Sequence, residues 1–182
     1  PSQFGERHFL AYPIGQFFSA LYNMWDDRSR TLRIDPDSMK EVLNAGLLSS
    51  KDDANLLGTY MRIKTYLKGV STYDEFLARL DSLNHNLRTI ADSKGSLRDL
   101  RGFGFFRITC DEVSSLRQAI VELSEIAEHI FAIDDEGYCD FRMHFTRLLD
   151  FLQKKVDTIA IRSEERKLVE SLLCRLGDVD RL

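Results

Sequence analysis

The chain contains few of the residues that interrupt or cross-link a fold. Only three of its 182 residues are proline, and all three fall within positions 1–36, so no proline-rich linker divides the chain. Three cysteines, Cys110, Cys139 and Cys174, are odd in number and widely separated. They predict reduced thiols in an intracellular protein of the cytoplasm or nucleus and argue against a disulfide scaffold.

Long hydrophobic runs and metal-binding motifs are also missing. No apolar run approaches the ~18 residues that a membrane span needs, so we expect no membrane interaction. Neither a CxxC nor an HExxH motif occurs, and we expect no metal and no cofactor. Nothing in the sequence indicates a nucleophile–base pair or a glycine-rich phosphate loop, so no catalytic residue is assigned.

The charge of the chain is small overall but unevenly distributed, with a formal net value of −4. Residues 58–108 carry nine Lys/Arg against five Asp/Glu, a net of +4. Residues 109–146 carry two against nine, a net of −7. A basic segment beside an acidic one predicts a polarised surface, although solvated faces that segregate by chance would give the same pattern.

Hydrophobic spacing predicts helices near both ends of the chain. Pro13 lies near the start of the first helix, and Asp35-Pro36 supplies the N-cap and first residue of the second. Beyond residue 147 the pattern predicts one or two more helices, the last with an apolar stripe from Leu168 to Leu176.

The middle of the chain alternates between two hydrophobic periods. The two-residue period predicts four strands, at about residues 60–68, 86–91, 101–108 and 139–145. The helical period predicts helices between them, over about 73–83 and 111–133. This strand–helix–strand–strand–helix–strand order is the ferredoxin-like βαββαβ arrangement.

We therefore predict an α+β protein with a ferredoxin-like antiparallel sheet and flanking N- and C-terminal helices. Its predicted parts are a helical segment over 1–57, the ferredoxin-like domain over 58–146 and a helical segment over 147–182.

The octet over residues 101–108 reads R-G-F-G-F-F-R-I and is the most informative motif. On a strand, Phe103, Phe105 and Arg107 would project from one side. Rings on a solvated sheet face can stack nucleic-acid bases, at about 1–3 kcal/mol per base. The octet resembles the RNP1 element of the RNA recognition motif family at five positions, with Phe106 and Ile108 as departures.

A second segment strengthens this resemblance, which extends over about residues 58–146. Residues 65–70, T-Y-L-K-G-V, resemble the family's RNP2 element on its first strand. The resemblance implies non-catalytic binding of single-stranded RNA, with Tyr66, Phe103 and Phe105 as the stacking rings and Arg101 as a backbone contact. Because they are positively charged, Arg107, Lys64 and Lys68 are predicted to contact the RNA phosphates as well.

Two other interpretations are open. The sheet face could be covered by the protein's own helices, giving a protein-interaction or regulatory domain, with self-association through the C-terminal stripe as one form of it. Alternatively, Arg79 and His85 have the Arg-x5-His spacing that resembles HEPN-type ribonucleases, in which the histidine would act as acid or base.

Overall fold

A computed structural model describes residues 11–48, 55–92 and 108–158, together with 167, 170 and 171. Over these ranges the chain forms six α-helices and one short hairpin. In chain order these elements are α1 (Pro13–Met24), β1 (Trp25–Asp26), β2 (Thr31–Leu32), α2 (Pro36–Asn44), α3 (Leu56–Ile63), α4 (Tyr73–Asp92), α5 (Cys110–Ile130) and α6 (Phe141–Thr158).

The prediction of a ferredoxin-like fold is wrong, because the described chain is mostly helical. Its one sheet is the antiparallel pair β1–β2, in which Trp25 faces Leu32 and Asp26 faces Thr31. The predicted strand at 60–68 falls in α3 and the turn after it, and that at 86–91 falls inside α4. The predicted strand at 139–145 is largely the start of α6, whereas residues 101–107 lie outside the described part.

The error has a physical reason that the buried side chains make visible. Over a window of eight or nine residues, a two-residue and a 3.6-residue period match many of the same positions. The buried positions around α3 include one adjacent pair and otherwise recur every three or four residues, which is helical spacing. They are Leu56, Thr59, Tyr60, Ile63 and Leu67.

The starts of α2 and α5 were predicted correctly, because each depends on a local hydrogen bond. The Asp35 side chain accepts a hydrogen bond from the Ser38 backbone N–H at 2.9 Å, with Pro36 as the first helical residue. Thr109 caps α5 in the same way by accepting from the Glu112 N–H at 3.2 Å. These caps confirm the predicted beginnings of α2 and, within two residues, α5.

Helix α5 is the centre of the structure and packs against α3, α4, α6 and β2. One apolar core runs from Ile14 to Leu152 and therefore includes residues from each of the three predicted segments. The rings of Phe17 and Phe151 stack at 5.7 Å and join α1 to α6. Burying each such ring contributes about 1.5–3 kcal/mol.

Charged side chains connect the helices at the edge of this core. The guanidinium of Arg117 donates to both carboxylate oxygens of Asp81, at 2.7 and 3.3 Å, and so links α5 to α4. The Lys155 amine lies 3.3 Å from Glu122 and links α6 to α5. No helix in the described ranges is both long and apolar enough to cross a membrane.

Candidate functional site

The β1–β2 hairpin positions the single tryptophan of the chain at one end of the helical core. The Asp26 carboxylate accepts hydrogen bonds from the Arg28 N–H at 3.1 Å and the Ser29 hydroxyl at 3.0 Å, so it closes the loop between the strands. These bonds, above all the one from Arg28, lower the pKa of Asp26. Arg30 ends the loop with a left-handed φ of +57°.

Trp25 is fixed on three sides by its neighbours. Its ring stacks on Phe131 at 5.0 Å with 12° between the planes. The Arg30 guanidinium lies 5.1 Å from the centre of the indole, within cation–π range. The indole N–H donates to Asp27 at 3.0 Å. The hairpin is thereby attached to the residue that follows α5.

The carboxyl end of α5 is unusually well capped by side chains. His144 Nδ1 donates to the Ile130 carbonyl at 2.9 Å, Arg30 to the Phe131 carbonyl, and Arg147 to the Ala132 carbonyl at 2.5 Å. Helix ends leave such carbonyls without backbone partners, and the charges of Arg30 and Arg147 are favoured there by the helix dipole. The hairpin and α6 therefore meet at this helix end.

Tyr22 and His144 connect α1 to α6. The Nδ1 atom of His144 donates to the Ile130 carbonyl, and its Nε2 forms a hydrogen bond with the Tyr22 hydroxyl. Burial raises the pKa of the Tyr22 phenol, and the nearby Cys139 raises it further. Both nitrogens of His144 are thus engaged, and neither is left to act as a general base.

These residues surround a small cavity, which we call the aromatic pocket. Its volume is about 390 Å³. It is lined by Tyr22, Trp25, Asp27, Arg30, Phe131, Cys139, Phe141 and His144. No cluster of three or more metal-ligating side chains occurs in the described part of the chain.

The loop after α5 is ordered by one carboxylate. Asp134 Oδ1 accepts hydrogen bonds from the backbone N–H groups of Glu136 at 3.0 Å and Tyr138 at 2.8 Å. Gly137 adopts a left-handed φ of +85°, a conformation that costs glycine least. Tyr138, at the end of this turn, is 70% exposed, and Phe141 is 78% exposed.

Exposed apolar side chains concentrate at this end of the molecule. Five large hydrophobic residues are exposed among the described residues, and four of them lie here. We call this group, Tyr22, Ile133, Tyr138 and Phe141, the aromatic end face. It is also acidic, because residues 133–141 contain four carboxylates and neither lysine nor arginine.

The described structure includes three of the seven residues predicted to bind RNA, namely Tyr66, Lys64 and Lys68. Arg101, Phe103, Phe105 and Arg107 lie outside the described residues. Tyr66 is half-buried against the core in the turn after α3, not on a sheet. Lys64 and Lys68 are exposed in the same turn. RNA binding stays a prediction, and the sheet that was expected to support it is absent from the described ranges.

The pair proposed for ribonuclease chemistry lies on one helix but not on one face of it. Arg79 and His85 are six residues apart in α4, which separates them by about 120° around the helix axis. Arg79 donates to the Tyr66 carbonyl at 3.0 Å, and His85 is exposed. Within one chain the two side chains do not converge on a common cleft.

Comparison with protein-family models, curated proteins and solved structures finds no match for the chain. The candidate site is therefore defined by its own residues, most of which the sequence analysis did not single out. Tyr22, Trp25 and His144 are not among the site residues that the sequence predicted. The sequence feature that could have indicated this site is the acidic segment 134–136, which has aromatic residues on either side.

Proposed function

We propose that this domain is a protein-interaction module that docks a partner at the aromatic end face. The observation that carries the proposal is the exposure of Tyr138 and Phe141 beside a turn fixed by Asp134. The exposure of large apolar rings to water is unfavourable and marks interaction sites. Aromatic side chains are also enriched at protein–protein interfaces. Two χ angles per ring also mean that little conformational entropy is lost on docking.

The polar groups beside the face favour recognition over catalysis. His144 uses both ring nitrogens, and Arg30 is held by Phe131 and Asp27. Each of these side chains stabilises the end of α5 or the hairpin, so its geometry is set by the fold. A partner would therefore be bound mainly through the exposed rings, over a scaffold that does not need to rearrange.

The charge of the aromatic end face indicates which side chains a partner would need. Asp134, Asp135, Glu136 and Asp140 lie in the same segment as Tyr138 and Phe141, and this segment has no lysine or arginine between residues 133 and 141. A partner segment with cationic and apolar side chains would satisfy both features, because its cations would meet the carboxylates and the ring faces. An acidic partner would be repelled.

The fluorescence of Trp25, the single tryptophan, can test this proposal, because its ring lines the aromatic pocket next to Phe141. We expect a synthetic peptide of alternating arginine and phenylalanine to change the emission saturably. The same peptide with glutamate in place of arginine should leave it unchanged. Phe141→Ala should weaken peptide binding at least about tenfold, since central aromatic anchors typically supply 1.4 kcal/mol or more.

Met61→Ala is the matched control, because Met61 is the one large exposed hydrophobic of the described residues that lies outside the face. This variant should bind the peptide as the wild type does. Equal binding of the peptide by Phe141→Ala and wild type would contradict the proposal. So would a peptide affinity that does not fall between about 50 and 500 mM salt, because exposed charges are screened over this range.

A further inference from the structure

A second surface of the molecule is complementary to the aromatic end face. A cavity of about 500 Å³ lies between the start of α2, the turn after α3 and the start of α4. Its inner wall is apolar, with Phe76 and Tyr60 stacked at 6.4 Å and Leu67 beside them. Lys64 and Lys68 line the same cavity and are exposed. We call this surface the basic groove.

The acidic groups near the groove have other partners. The Asp35 carboxylate accepts the Ser38 N–H at 2.9 Å as the cap of α2. Asp37 lies 3.8 Å from the amine of Lys40. Lys64 and Lys68 make no ion pair in the described part of the chain, so their charge is available to an incoming carboxylate.

We propose that the basic groove receives the aromatic end face of a second copy of this chain. This inference rests on the proposed function and names the partner of the same face. Phe141 and Tyr138 would enter the apolar part of the groove, while Asp135 and Asp140 would approach Lys64 and Lys68. Each surface thus supplies what the other lacks, apolar walls for exposed rings and cations for carboxylates.

The position of the two surfaces favours a closed dimer. Tyr22 and Phe141 of the aromatic end face line the aromatic pocket together with Arg30. Ile34, which lines the groove, comes four positions after Arg30 in the chain, a span of at most about 14 Å. Two neighbouring surfaces on one protomer can each meet the complementary surface of the other about a two-fold axis. Both face–groove contacts then form in one assembly, and no surface is left to extend a filament.

Sedimentation velocity of the 182-residue chain between about 1 and 200 μM tests the inference. We expect reversible dimers whose dissociation constant rises at least about tenfold from 50 to 500 mM salt. Tyr138→Ala with Phe141→Ala, the face variant, should be monomeric, and so should Lys64→Glu with Lys68→Glu, the groove variant. Met61→Ala and Arg88→Glu, exposed positions outside both surfaces, should dimerise as the wild type does.

Mixing the two variants gives a decisive result. The face variant keeps an intact groove and the groove variant keeps an intact face, so the mixture should form heterodimers although neither variant associates alone. Circular dichroism should show the wild-type helix content in both variants, because every substituted side chain is exposed.

A wild-type chain that stays monomeric, or dimers unaffected by either variant, would overturn the inference. So would a mixture of the two variants that fails to associate. The proposed function is judged separately by the peptide titration. If the peptide binds through Phe141 while the chain remains monomeric, the aromatic end face docks a different basic partner and only the self-association is wrong.

Discussion

The Nδ1 atom of His144 donates a hydrogen bond of 2.9 Å to the carbonyl oxygen of Ile130. The Nε2 atom of the same ring forms a hydrogen bond with the Tyr22 hydroxyl, so both ring nitrogens have partners. One side chain of α6 therefore holds the end of α5 and the side of α1 together. Tyr22, one residue of the aromatic end face, lies at this junction.

His144→Ala should lower the free energy of unfolding by about 1–3 kcal/mol, because it removes two hydrogen bonds and leaves the Ile130 carbonyl without its cap. Urea unfolding followed by far-UV circular dichroism measures the change. His85→Ala is the control, since His85 is exposed on α4 and its loss should change stability by less than about 0.5 kcal/mol. Equal stability of the two variants would contradict the role assigned to His144.

Glu75 should make the stability of α4 sensitive to acid. Its carboxylate accepts the Ser71 N–H at 3.1 Å and the Thr72 N–H at 3.3 Å, and these bonds, led by that from Ser71, lower its pKa below the ordinary value of 4.5. Because the folded pKa is below the unfolded one, the stabilisation is complete above pH 4.5 and disappears as the pH falls through the folded pKa.

Thermal unfolding of Glu75→Gln and wild type at several pH values checks this prediction. The variant should have the lower Tm near neutral pH, and the difference should shrink as the carboxylate of the wild type becomes protonated. Glu41→Gln, an exposed position in α2, serves as the control and should change Tm little at any pH. A Tm difference for Glu75→Gln that is independent of pH would show that the charge of Glu75 does not stabilise the helix.

The sequence predicted helix beginnings well because these depend on a few neighbouring residues. Helix α2 begins where the Asp35 side chain accepts a hydrogen bond from the Ser38 N–H, three residues later. Helix α4 begins in the same way, with Thr72 accepting from the Glu75 N–H. The type of the short elements was predicted wrongly, because burial decides it and burial is a property of the whole fold. Residues 139–145 alternate in polarity, yet α6 already begins at Phe141, whose ring stacks on that of Phe145 one turn later.

The candidate site was harder to predict, since its residues are distant in sequence. Trp25 and Phe131 are more than a hundred positions apart, and only the packing of the hairpin against the end of α5 brings their rings together. The acidic character of residues 109–146 was visible in the sequence, and four of its nine carboxylates lie in the segment that carries the exposed Tyr138 and Phe141. The charge pattern alone did not indicate a surface, because the exposure of the neighbouring side chains depends on the fold.

Asn84 contains an acceptor that the fold leaves unsatisfied. Its Nδ2 donates to the Ser114 hydroxyl at 3.2 Å, but its buried Oδ1 has no hydrogen-bond partner. An orphaned buried acceptor costs about 1–3 kcal/mol relative to its hydration in the unfolded chain. Asn84→Leu removes that acceptor, and Ser114 is exposed enough to bind water instead. We therefore expect Asn84→Leu to leave the free energy of unfolding unchanged or to raise it by up to about 1 kcal/mol.

A double-mutant cycle with Ser114→Ala isolates the reason for this effect. In the wild-type background Ser114→Ala should reduce stability by about 1 kcal/mol, because the amide of Asn84 then loses its acceptor as well. In the Asn84→Leu background the same substitution should have little effect, since no buried amide remains to be satisfied. The prediction is wrong if Asn84→Leu is less stable than the wild type by more than about 1 kcal/mol. The hydrogen bond from Asn84 to Ser114 would then stabilise the fold by more than the unpaired Oδ1 destabilises it.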